Sequence, residues 1–95
     1  MAQYKVIIKS KDSQKLEDLT SKKAALENLI LISENNPLVH NEELYQRFIS
    51  DYEYTSCEID RHWDYICKEY DIVKLNDCEL YMDFHSCTVS NKKIQ

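Results

Sequence analysis

The chain has 95 residues, 43% of them hydrophobic, no glycine, and 12 basic against 17 acidic side chains for a formal charge of −5. The acidic balance argues against a nucleic-acid binder, which needs a basic face. The missing glycine removes the Walker loop, the dinucleotide fingerprint and the nucleophile elbow, because each needs backbone that only glycine supplies readily.

Tyr4-Lys5-Val6-Ile7-Ile8-Lys9 is rich in β-branched residues and predicts a short strand. Asp12 or Ser13 then offers an N-cap for a first helix from Gln14 to about Glu34. Leu16, Leu19, Ala25 or Leu26, Leu29 and Ile30 carry its three–four spacing, with Ile32 or Ser33 as the next position. Asn35-Asn36-Pro37 stops it, since proline disfavours helical geometry in the residue before it. A second helix is expected over about Asn41 to Tyr52, with Leu44, Tyr45, Phe48, Ile49 and Tyr52 as its apolar stripe. Thr55-Ser56-Cys57-Glu58 has the form of a capping box and predicts the start of a third helix, ending near Tyr70. Ile59, Trp63, Ile66, Cys67 and Tyr70 would be its inner face, with Trp63 at the centre of the core.

Beyond Asp71 the period changes. Leu80, Met82 and Phe84 alternate with Glu79, Tyr81 and Asp83, as in a half-buried strand. His85-Ser86 reads as a turn, Cys87-Thr88-Val89 as the returning strand, and Asn91 to Gln95 as a frayed tail. The expected fold is α+β: one compact domain over residues 1–95, three helices packed on a small antiparallel sheet made of the N-terminal strand and the C-terminal hairpin.

Leu44-Tyr45, Asp51, Thr55, Trp63 with Tyr70 seven residues on, and the closing Tyr81-Met82-Asp83-Phe84-His85-Ser86-Cys87-Thr88-Val89 resemble the small CXXX repeat peptide modification system proteins, over roughly Leu16 to Val89. The run Lys22-Lys23-Ala24-Ala25-Leu26 matches the same pattern, whereas His62 stands where a second aromatic beside Trp63 would be expected. The resemblance implies a bacterial locus in which small proteins accompany a radical-SAM maturase and a cysteine-repeat precursor. This chain holds neither a CxxxCxxC cluster nor a CXXX repeat, so it would be an accessory protein rather than maturase or substrate.

Chemistry-bearing residues are few. The four cysteines are Cys57, Cys67, Cys78 and Cys87. His85-Ser86-Cys87 is the only tight histidine–cysteine pair, too little for a four-ligand zinc site. Cys78 would approach Cys87 across the hairpin, yet a reducing cytosol disfavours a disulfide. Cys57 and Cys67 stand about 15 Å apart along one helix, beyond bridging. His85 and Cys87 on one strand face stand too far apart to act as base and nucleophile. No catalytic residue, metal or cofactor is therefore expected. The binding candidates are Tyr54, Asp60, Asp64 and Tyr65, exposed aromatics beside acids on the third helix. Asp60 and Asp64 are like charges one turn apart, a mild cost that hints at a cationic partner.

These features point to a cytoplasmic binding protein with a protein or peptide partner and no nucleic acid or membrane, a homodimer being allowed. It would be the accessory module of a peptide-modification system, using the sheet edge or the aromatic–acidic helix face. The alternative is a stand-alone acidic inhibitor of mobile-element type that occupies the basic site of a nuclease or other nucleic-acid-binding enzyme.

Overall fold

A computed structural model describes residues 5–36, 41–73 and 78–93. Its elements are β1 (Lys5–Ile7), α1 (Ser10–Asn35), α2 (Glu42–Glu69), β2 (Cys78–Asp83) and β3 (Thr88–Lys93). The class is α+β, with an antiparallel three-stranded sheet in the order β1-β3-β2. Two helices are present among the described residues, not three. The expected second and third helices are one unbroken helix, because no proline or glycine interrupts Tyr52 to Ser56. The Ser56 hydroxyl donates back to the Tyr52 carbonyl at 2.9 Å, the bond a serine makes inside a helix rather than at its start. Thr55 is buried in mid-helix and caps nothing. The cap of α2 is Asn41, whose Oδ1 accepts from the Leu44 amide at 3.0 Å.

Read as one helix, α2 carries Tyr45, Phe48, Tyr52, Thr55, Ile59, His62 and Ile66 in unbroken three–four alternation, all buried or half-buried. In α1 the matching seam is Leu16, Leu19, Lys23, Leu26, Ile30 and Ser33. Leu29, expected on the inner stripe, is exposed. Trp63 falls to the flank of the α2 seam and is half-buried, so it is not the core centre; His62 and Ile66 occupy the seam beside it.

The chain forms two compact units. The first comprises Met1–Glu17 with His62–Gln95. Its core is built from Ile8, Leu16, Ile66, Ile72 and Val89. Val89 pairs with Val6 on one side and Met82 on the other, which places these three on one sheet face. The expected alternation holds in β2: Leu80 and Met82 are half-buried while Glu79, Tyr81 and Asp83 are exposed. The expected frayed tail begins inside β3 instead, since Asn91 to Lys93 pair with Cys78 to Leu80. Ile94 and Gln95, the remainder of that tail, and Tyr4 of the expected first strand lie outside the described residues.

Without glycine, two other residues take the left-handed backbone. Asp71 has φ 55° and Cys87 φ 53°. Asp71 ends α2: the Ile72 amide donates to the Cys67 carbonyl at 2.8 Å, the long bond of a Schellman motif. Aspartate tolerates that conformation better than most residues. Cys87 closes the four-residue turn Phe84–Cys87, longer than the expected His85-Ser86.

The second unit is Asp18–Arg61, the distal halves of both helices. Here α1 and α2 run antiparallel. The Tyr45 hydroxyl donates to Glu34 at 2.6 Å, and Lys23 lies 5.3 Å from the centre of the Tyr52 ring.

Candidate functional site

The first turn of α1 in the first unit gathers the most polar chemistry. The Lys9 backbone N–H, just before the helix, donates to the Tyr70 hydroxyl at 2.9 Å. That hydroxyl in turn donates to Asp12 Oδ2 at 2.6 Å. His62 Nε2 lies 2.8 Å from the Asp12 carbonyl oxygen. A carbonyl only accepts, so Nε2 carries the hydrogen. The imidazole stacks on Tyr65 with centroids 5.6 Å apart and planes 18° apart. Asp12 and His62 are both buried.

Electrostatics keep this cluster in one protonation pattern at its phenols. Loss of solvation raises the Tyr70 pKa above the usual phenol value, and the Asp12 hydrogen bond raises it further, against a smaller opposing pull from the Lys9 amide. Tyr65 is raised by lost solvation and then by the negative charges of Asp12 and Glu69. Both phenols are held toward their protonated form, and Tyr70 acts as a donor to Asp12. The arrangement suits a clamp that ties the start of α1 to the end of α2; neither phenol is poised as a nucleophile.

The sequence-derived candidates do not converge. Tyr54 and Asp60 belong to the second unit, Asp64 and Tyr65 to the first, all on α2. Tyr54 is 62% exposed and Tyr65 43%, and both acids are exposed. Tyr65 is committed to His62 by its stack, and Arg61 pairs with Glu58 at 3.1 Å. Sequence reading missed Asp12, His62 and Tyr70 as a group. The signal that finds His62 is the continuous seam of α2, which a supposed break at Thr55 hides.

The outer sheet face is the second polar surface of the first unit. Register places Lys5, Ser90 and Tyr81 in one cross-strand row, and Ile7, Thr88 and Asp83 in the next. The Tyr81 hydroxyl donates to Glu79 at 2.9 Å, and that bond with the acid's charge raises the Tyr81 pKa. Asp83 Oδ1 accepts from the His85 and Ser86 amides at 3.0 and 3.4 Å. Bonding to Ser86, then to the His85 amide, holds the Asp83 carboxyl below the usual range.

The cysteine geometry differs from expectation. Cys78 pairs with Lys93 at the open end of the hairpin, whereas Cys87 sits in its turn. Five residue steps of strand, about 17 Å, separate the backbone at the two ends. Among the described residues no group of three or more His, Cys, Asp or Glu side chains could hold a metal ion, and no helix is long and apolar enough to cross a membrane.

The chain matches no protein-family model, no curated protein and no solved structure.

Proposed function

We propose that this chain is a non-catalytic, cytoplasmic accessory protein of a bacterial peptide-modification system that binds a precursor peptide or its maturase. The observation that carries the reading is the position of β2. The order β1-β3-β2 leaves this six-residue strand at an edge, with no strand on its outer side among the described residues. An extended peptide can add there as a fourth strand, its backbone supplying affinity and alternate side chains supplying selectivity. Glu79, Tyr81 and Asp83 project from the exposed face of that strand. Two carboxylates around a phenol favour an extended segment with basic or amide-bearing side chains. The sequence resemblance in Tyr81 to Val89 falls on the same hairpin.

The edge is a better binding element than the α2 face, whose four candidate residues divide between two units. Thr88 is no part of this edge, and a proline there would not probe it. Thr88 lies in the central strand, paired with both Ile7 and Asp83, so that change attacks the sheet itself. The direct experiment is pull-down of the chain against products of neighbouring genes, with Glu79→Lys plus Tyr81→Ala as the edge variant. Capture of a precursor peptide or maturase, lost in the variant, is expected. Capture that the variant leaves unchanged removes the edge from the reading. Turnover of a small substrate with no captured partner overturns it altogether.

A further inference from the structure

The register of the sheet resolves the open edge of β2 to single backbone groups. The Ile8 amide donates to the Cys87 carbonyl at 2.8 Å, so that carbonyl points toward β1. The Thr88 N–H belongs to the same trans peptide unit and points the opposite way, toward β2. Alternation along β3 then turns Thr88 and Ser90 to β2, and their register partners Asp83 and Tyr81 use their backbone groups inside the sheet. Leu80 and Met82, one position out of phase, present N–H and C=O to the outer side, where no strand lies among the described residues. A segment added antiparallel, the direction of both existing pairs, would bond to Leu80 and Met82. Glu79, Tyr81 and Asp83 then fall in the non-hydrogen-bonded pairs, where cross-strand side chains come closest.

We propose, resting on the edge-binding reading above, that β2 selects an antiparallel segment of the pattern basic–apolar–β-branched–apolar–basic. Glu79 and Asp83 set the two basic positions, one on each side of Tyr81 and about 13 Å apart along the strand. Each acid keeps one oxygen for an incoming cation. The Tyr81 hydroxyl takes Glu79 Oε2, and the turn amides take Asp83 Oδ1, which leaves Glu79 Oε1 and Asp83 Oδ2 without a partner among the described residues. Tyr81 is 45% exposed and faces the middle position, where an aromatic pairs well with a β-branched side chain. Leu80 and Met82 are half-buried on the face that carries Val89, so the two intervening positions continue that apolar face. The net charge of −5 favours the approach of a basic segment. The same residues reject a second copy on this edge. Two β2 strands paired antiparallel about Tyr81 would set Glu79 opposite Asp83 twice, like charges in the closest pairs.

Fluorescence anisotropy of the full chain with two labelled peptides of one composition tests the pattern. In Thr-Lys-Val-Thr-Val-Lys-Thr the lysines are four positions apart and share a face; in Thr-Lys-Val-Val-Lys-Thr-Thr they are three apart and fall on opposite faces. At low salt the first should bind about fivefold more tightly, an advantage that shrinks as salt is added. Glu79→Lys supplies the arm that misfolding cannot mimic. It should weaken the first peptide and prefer the form whose last lysine is replaced by glutamate, because that position faces residue 79 in the antiparallel direction. Equal binding of the two peptides overturns the pattern and leaves edge binding standing. So does a Glu79→Lys chain that does not prefer the glutamate form. If neither peptide binds, the edge reading falls and the pattern with it.

Discussion

The two compact units use nearly the same helical alphabet to different ends. In the first, apolar residues are buried together with Asp12, Ser13, His62 and Asn91, and Asp12 and His62 bond within the unit. In the second, Leu26, Ser33 and Thr55 are the buried residues among those described, while Leu29, Leu31, Ile32, Leu44 and Tyr54 lie exposed. A sheet behind a helix pair gives every seam residue a third neighbour, whereas two helices alone cover one face each. The difference teaches where stability resides and where the chain has surface to spend on contacts. Local opening should therefore begin in the second unit.

The largest test of that contrast is truncation on each side. Ile66→Ala, at a fully buried position in the first unit, should cost about 3–4 kcal/mol by chemical denaturation. Leu26→Ala in the second unit should cost only about 2 kcal/mol, since a thinly covered site collapses more easily. Equal losses would erase the distinction. Tyr70→Phe comes next, at about 1–2 kcal/mol, because it strands the Lys9 amide and removes a donor from Asp12. Tyr45→Phe, which breaks the equally short but exposed bond to Glu34, should leave the melting temperature unmoved.

A substitution that stabilises sharpens the comparison from the other side. The Thr55 hydroxyl is buried without a hydrogen-bond partner among the described residues. Thr55→Val keeps the shape and removes the stranded hydroxyl, so the thermal midpoint should rise by the equivalent of about 1 kcal/mol. A fall would show that the hydroxyl is satisfied in solution. The smallest effect is expected at Asp83. Its pKa is lowered on folding, so as the pH falls the unfolded chain takes up the proton first. The stabilisation is whole above the ordinary aspartate value of about 3.9 and is lost as pH drops below it toward the folded-state value. Asp83→Asn should flatten that acid limb of the melting-temperature profile and leave neutral pH almost unchanged. An unaltered limb would mean that the turn amides do not hold the carboxylate.

Much of the sheet was legible because period two is unambiguous: Leu80 and Met82 against Glu79, Tyr81 and Asp83 fell as the alternation requires. The helical region was read in the right places and divided at the wrong one. Thr55-Ser56-Cys57-Glu58 has every residue a capping box needs, but a cap forms only where the backbone leaves the helix, and nothing in Tyr52 to Tyr54 makes it leave. That false break shifted the expected seam onto Trp63 and concealed His62. The tail was misjudged because Asn91 and its neighbours are polar, a composition that suits a frayed end as well as a paired strand.

By itself the sequence determined the α+β class, the body and end of the first helix though not its start at Ser10, the alternating strand and the absence of every glycine-built loop, since each depends on local periodicity or on a residue type the chain does not contain. Tertiary structure alone decided the rest. It placed β3 between β1 and β2, joined Lys9, Asp12, His62 and Tyr70 across separations of 50 to 61 residues, and gave Asp71 the helix stop that glycine usually makes. Those outcomes rest on which distant groups meet and which backbone amides are left over, and no window of neighbouring residues carries that information.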